Sequence, residues 1–330
     1  MQPLDISCPE SALVLGATGG IGSEVARQLR DSGWQVQALQ RGLANPVERR
    51  DGVTWLRGDA MNRDDVQRAA QGCTVIVHAV NPPGYRRWAE LVLPMIDNTI
   101  AAAVAGQATI VLPGTVYNYG PDAFPLLQED APQHPQTRKG AIRVELERRI
   151  HGATAQGARA IVVRAGDFFG PRAGNNWFSQ GLVKPGRPAK TIRLPGDAGV
   201  GHAWSYLPDV ARTMVELLTR RSALPPFAAF HMAGHWDADG TQMAAAIGRV
   251  AARYGLATAT AAFPWALVRL AAPFVPTLRE LLEMRYLWQQ PVRLDGARLA
   301  HALGAEPHTP LDEAIELTLR GLGCLPPTAP

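Results

Sequence analysis

The stretch "ALVLGATGGIGSEVARQL", Ala12 to Leu29, decides how the chain is read. Ala12 to Leu15 is a short apolar run without helical period, so it reads as a buried strand. Ile21, Val25, Ala26 and Leu29 share one face of a following helix. Between them stand Gly16, Gly19 and Gly22. In such a turn Gly16 permits the sharp bend, Gly19 lets a phosphate approach the backbone, and Gly22 lets the helix lie close on the strand. Free N–H groups and the positive helix end then favour an anion, held among Gly16, Thr18, Gly19, Gly20, Ile21 and Gly22. The spacing is Gly-xx-Gly-xx-Gly rather than Gly-x-Gly-xx-Gly, so the context has to carry the reading.

That context repeats along the chain. Trp34–Leu39, Thr54–Leu56, Cys73–Val80 and the runs from Ala108 and Ala158 are strand-like; Asn62–Ala70, Trp88–Ala105 and Lys139–Ala155 are helical. Strands alternating with helices predict a doubly wound parallel sheet, a Rossmann fold, with ligands at the carboxyl ends of the strands. Residues 1–165 read as the dinucleotide-binding domain, to which the chain returns at about 200–234. Residues 166–199 and 235–330 read as a smaller, mostly helical substrate lobe. A net charge of +4 with scattered basic residues argues against a nucleic-acid partner. "FPWALVRLAAPFVPTLRELL" comes nearest to a membrane span, but Arg269 and three prolines break it, so no membrane partner is expected. Three cysteines, Cys8, Cys73 and Cys324, lack metal spacing and point to a reduced, cytoplasmic home.

The pieces "GATGGIG", "RGD" with Asp59, "HAVNPPG", "YNYGP", "VRAGDFFGP" and "WSYLPDVAR" follow one another as in the extended short-chain dehydrogenases/reductases, the NAD-dependent epimerase/dehydratase-like group. The chain resembles that family from about Ala12 to Leu218. The resemblance implies that Asp59 and Ala60 lie by the adenine. Ala79, Val80 and Asn81 would line the nicotinamide side, with Ala165 to Gly170, including Phe168, closing over it. At the end of the second strand an acid selects NAD, whereas an arginine accommodates a 2′-phosphate. "VQALQRG" puts Arg41 there, with no acid before Glu48. NADP is therefore expected, with NAD as the alternative.

The chemistry departs from the family pattern. The resemblance calls for Tyr-xxx-Lys on one helix face, the lysine lowering the tyrosine's pKa, with a serine ahead of it. The matching segment, "TRKGAIRVELERR", has no tyrosine. At a spacing of four, only Lys139 and Arg143 pair as polar groups, and Glu147 stands four residues beyond Arg143, a normal ion-pair spacing. Thr115 matches the serine, four residues before Tyr119. The expected catalytic set is Thr115, Lys139 and Arg143, with Arg143 lowering the lysine's pKa. Tyr117 is the reserve proton donor. The expected activity is NADP(H)-dependent reduction or oxidation of a small apolar carbonyl or alcohol; a non-catalytic NADP(H)-binding redox sensor is the alternative.

Other readings carry less. His231 and His235 lack a third ligand for zinc, so no metal is expected. The arginine that nucleotide-sugar relatives carry is missing from "PGDAGVGHAWSYLPD", where His202 stands instead. A nucleotide-sugar epimerase is disfavoured on that ground. Trp265, Tyr286, Trp288, Phe168, Phe169, Trp177 and Trp204 are candidates for an apolar pocket, although aromatics at helical spacing more often form core. Pro264 to Gln290 is placed as a lid over the cleft, and Asp209 as a helix N-cap. A small-molecule substrate is the expected partner, with a homodimer left open.

Overall fold

The computed structural model describes residues 10–82, 87–172 and 176–326. Cys8, Pro83 and Gly84, named above, lie outside them. Eight strands form one sheet: β1 Ser11–Leu15, β2 Gln35–Gln40, β3 Val47–Arg50, β4 Val53–Arg57, β5 Val75–His78, β6 Thr109–Gly114, β7 Arg159–Arg164 and β8 Phe227–His231. Their order across the sheet is β3-β4-β2-β1-β5-β6-β7-β8, all parallel except β3, which pairs antiparallel with β4. The hairpin β3–β4 was not expected from the sequence. "VERR" is exposed on an edge and has no apolar alternation to mark it.

Alternation along β1 sorts the two faces. Ala12 and Val14 join one core with Val25 and Leu29 of α1 (Gly20–Asp31) and Val210 and Met214 of α5 (Leu207–Thr219). Leu13 and Leu15 join the other, with α2 (Arg63–Ala69), α3 (Trp88–Gly106) and α4 (Arg138–Ala153). Every β1 residue after Ser11 is buried, as a parallel strand covered on both sides requires. Asn62 caps α2 by accepting from the backbone N–H groups of Asp64 and Asp65. By length and composition α3 could cross a membrane, yet Val92, Ile96 and Ala103 pack into the sheet's core layer.

The lobe has its own core. Phe169, Phe178, Trp204, Trp265 and Trp288 meet α6 (Gln242–Arg253) there, with α7 (Trp265–Ala271) and α8 (Pro276–Glu283) alongside. One segment assigned to the lobe lies elsewhere: Leu299 and Leu303 of α9 (Ala297–Leu303) pack in the sheet core beside α5. The last helix, α10 (Leu311–Gly321), packs on α6. Asp209 is not an N-cap. It sits in the first turn of α5, where its carboxylate accepts from the backbone N–H and hydroxyl of Thr309, tying α5 to the approach of α10.

Candidate active site

The glycine turn joins β1 to α1 with φ +86° at Gly16. A Cβ at Gly16 would stand 2.5 Å from the Ala79 carbonyl oxygen, and one at Gly22 would stand 2.2 Å from the Gly16 oxygen. Both glycines are thus demanded by close backbone approach. Gly19 differs. It is exposed, and its Cβ would come no closer than 3.3 Å to protein, at the Gly16 oxygen. Gly19 is also the N-cap of α1 and supplies no side-chain acceptor, so the first-turn N–H groups lack a capping side chain. This is the geometry of a phosphate cradle, and it fits a dinucleotide. A Gly19→Val variant is expected to keep its unfolding temperature. Its affinity for a nicotinamide dinucleotide should fall by roughly 1.5–3 kcal/mol, the range for hydrogen bonds to a charged group. Unchanged affinity by titration calorimetry would show that the turn holds no phosphate.

Beyond the turn, a cavity of about 370 Å³ opens over the carboxyl ends of β5 and β6. Ile21, Ala79, Val80, Asn81 and Phe168 line it, as the sequence predicts for the cofactor side. Thr115, Tyr117 and Arg143 line it too, so three of the four expected catalytic residues meet at one cavity. Ala165 is buried one residue beyond β7. At the far end of the sheet, Arg41 and Asp59 follow β2 and β4, with guanidinium and carboxylate 4.0 Å apart and Arg41 largely exposed. Asp59 also accepts from the Met61 backbone N–H, and Asn98 donates to the Ala60 carbonyl.

Lys139 stands elsewhere. Its ammonium, almost wholly buried, pairs with the carboxylates of Glu280 and Glu283 on α8 and donates to the Glu280 carbonyl at 3.3 Å. It is absent from the cavity lining, and two carboxylates hold it. Sequence spacing placed Lys139 and Arg143 on adjacent turns but did not disclose that α8 packs across the first of them.

Glu147 departs from expectation as well. Its partner is not Arg143 but Arg164 at the end of β7, at 2.5 Å, with both side chains buried. Arg164 also donates to the Tyr119 hydroxyl at 2.8 Å, and that hydroxyl contacts His231 Nε2 at 2.9 Å. Asn118 joins Glu147 to Thr115, donating to the first at 2.9 Å and accepting from the Thr115 hydroxyl at 3.1 Å. The network fixes the loop that carries Thr115 and Tyr117. Burial pushes the Tyr119 hydroxyl's pKa up to about 12, so Tyr119 stays a neutral structural group.

His78, which opens the "HAVNPPG" stretch, and Asp167, within Ala165 to Gly170, also line the cavity; Trp88 does too and was not singled out from the sequence. The Arg143 guanidinium stands 5.2 Å from the Trp88 ring centre. Asp167 pairs with His202 at 2.8 Å, and His202 stacks on Trp288. Of the expected aromatic pocket, Phe168 and Trp177 reach the cavity, while Trp204, Trp265, Trp288 and Phe169 build the lobe core. Among the described residues no cluster of His, Cys, Asp or Glu is arranged for a metal. His231 hydrogen-bonds Tyr119, and His235 packs on the His308 ring.

Burial, aided by nearby Arg143, pushes His78 down to about 3, and burial with Arg164 does the same to His231. Unfolded histidine takes up its proton near pH 6.5, whereas these two stay neutral until about pH 3. Between those values the unfolded state binds more protons, so stability falls on acidification. Each histidine contributes at most about 1.4 kcal/mol per pH unit. Urea unfolding across that window is expected to show this slope, reduced in His78→Asn. A pH-independent midpoint would contradict it.

A family model described as "NAD dependent epimerase/dehydratase family" matches residues 12–233, more than half of the chain. The chain belongs to this family. The family match covers the whole glycine turn and, after Ser11, every strand of the eight-stranded sheet. Among curated relatives, a 2-alkyl-3-oxoalkanoate reductase of Shewanella oneidensis is 30% identical over 100 residues, 30% of this chain and 24% of the relative. A 3-diazoavenalumate denitrifying reductase of a Streptomyces species is 29% identical over 180 residues, 49% of this chain and 57% of the relative. The chain therefore spans about a quarter to just over half of such relatives' length. Solved structures agree on the fold. MoeE5 in complex with UDP-glucose and NAD superposes with a TM-score of 0.72 at 18% identity, covering 94% of this chain and 98% of that one. The Bordetella bronchiseptica enzyme WbmH in complex with NAD+ gives 0.67 at 16%, covering 95% and 98%. A nicotinamide cofactor is the ligand common to the family and these neighbours.

Proposed function

We propose that the protein is an NADP(H)-dependent oxidoreductase acting on a small, largely apolar carbonyl or alcohol. The observation that carries this reading is the convergence of Thr115, Tyr117 and Arg143 on one cavity whose other walls include the expected cofactor residues and apolar side chains. The cradle at Gly16, Gly19 and Gly22 would hold the diphosphate, and Arg41 the 2′-phosphate. Bound so, a reduced nicotinamide would supply hydride to the carbonyl carbon. The chain's own work is at the oxygen. Arginine keeps its charge at any working pH, so Arg143 acts by stabilising negative charge on that oxygen, not by giving up a proton. Tyr117 supplies the proton, and Thr115, held by Asn118, orients the oxygen.

Reductases among the relatives support this class. The engagement of Lys139 by two carboxylates supports a second reading, a cofactor-binding protein without turnover. A panel of aldehydes and ketones followed by loss of NADPH absorbance separates the two. Turnover establishes the enzyme; tight NADPH binding with no turnover across the panel establishes the binder.

Cofactor choice has its own test. Arg41→Ala is expected to weaken NADPH by roughly 1–3 kcal/mol and to leave NADH almost unaltered, because only the former offers the charge-assisted phosphate contact. Equal affinities of wild type for both cofactors would overturn the NADP assignment.

A further inference from the structure

The segment between Phe263 and Glu283 presents opposite faces to the two sides of the lobe. Inward, Phe263, Val268, Leu278 and Leu281 form one wall of the cavity. Outward, Leu267, Leu270, Phe274 and Val275 are exposed by 65%, 74%, 85% and 41%. Leu267 and Leu270 lie one turn apart on α7, opposite the buried pair Trp265 and Val268. Half of the eight exposed large apolar side chains of the described residues thus fall within nine consecutive positions. Soluble monomers seldom leave such a group together unless something covers it.

Charge indicates what covers it. Residues 240–279 contain no aspartate or glutamate. Arg269 and Arg279 are exposed beside the apolar group. The first acids beyond, Glu280 and Glu283, are drawn to the buried Lys139 ammonium. An exposed apolar ridge flanked by arginines and stripped of carboxylates suits the interfacial region of an anionic bilayer, where apolar side chains enter the acyl boundary and arginines meet the phosphates. We infer that α7 and α8 dock on an anionic lipid surface. The expectation of no membrane partner rested on the absence of a spanning run, and interfacial docking requires none. On the oxidoreductase reading, which this extends, the docked face places the apolar cavity wall next to the bilayer, so the substrate class becomes an amphiphile dissolved in lipid.

Co-sedimentation of the full chain with vesicles tests the docking without reference to turnover. Vesicles of phosphatidylcholine alone and of phosphatidylcholine mixed with phosphatidylglycerol are compared. Wild type is expected to sediment with the mixed vesicles. Leu270→Glu with Phe274→Glu should lose roughly tenfold or more of that binding, because two large apolar side chains no longer enter the acyl boundary. Arg269→Gln with Arg279→Gln should lose about fivefold per arginine, and only with the anionic vesicles. The substituted side chains are exposed, so unchanged thermal unfolding shows that the fold is intact. Wild type left in the supernatant with both vesicle types overturns the inference, as does equal sedimentation by the glutamate variant. A wild-type dimer in sedimentation velocity that Leu270→Glu dissociates overturns it too, since a second copy would then cover the face. A null carbonyl panel with intact vesicle binding would remove the oxidoreductase reading and leave the docking standing.

Discussion

Tyr117→Phe is expected to lower turnover by roughly 10²–10⁴ while NADPH affinity stays within a few-fold, the range for losing a general acid. Reduction of a carbonyl leaves charge on its oxygen, and a donor within about 3 Å must neutralise it. Of the titratable groups on the cavity wall, His78 is held neutral by a pKa near 3 and cannot serve as the acid. Arg143 keeps its proton, and Lys139 faces the α8 carboxylates. Asp167 is engaged by His202. Among the described residues that leaves the Tyr117 hydroxyl, with Thr115 on the same cavity wall as a neutral donor. Arg143→Met should lower turnover by a similar factor and also weaken cofactor binding, because it removes a guanidinium from the wall that the two would share. Lys139→Met should instead show as lost stability, since two carboxylates lose their counter-ion, with the rate per folded molecule little changed. Normal turnover in Tyr117→Phe together with a dead, well-folded Lys139→Met would return the lysine to the chemistry.

Arg164→Met is expected to destabilise the fold by about 3–5 kcal/mol, the cost of stranding one member of a buried ion pair. Glu147 would lose its guanidinium partner in a region where both side chains are shielded from water. The Tyr119 hydroxyl and His231 Nε2 would lose the same donor. The paired replacement Arg164→Met with Glu147→Leu should recover much of the loss, because no uncompensated charge then remains buried. Chemical denaturation of the three proteins decides it. A single variant as stable as wild type would mean that water or another cation reaches Glu147.

The parallel sheet, its crossover helices and the glycine turn were legible in the sequence because they are written in local patterns. Apolar runs of four to six residues, helical periodicity and glycines at backbone contacts each act over a few neighbours. The resemblance to the family then pointed to the cavity residues Ala79, Val80, Thr115 and Arg143, which sit at strand ends and on one helix face of that pattern. Which way Lys139 points was not local. It depends on α8, some 141 positions away, packing its two carboxylates against α4. Likewise the spacing offered Glu147 only Arg143, and the sheet, with β7 paired to β6, brought Arg164 to it. Sequence by itself thus determined the framework and the cofactor turn, whose interactions are short-range. Tertiary packing alone decided which buried charges neutralise each other and so which polar groups remain for the cavity, because Coulomb pairing in a desolvated interior depends on distance in space rather than along the chain.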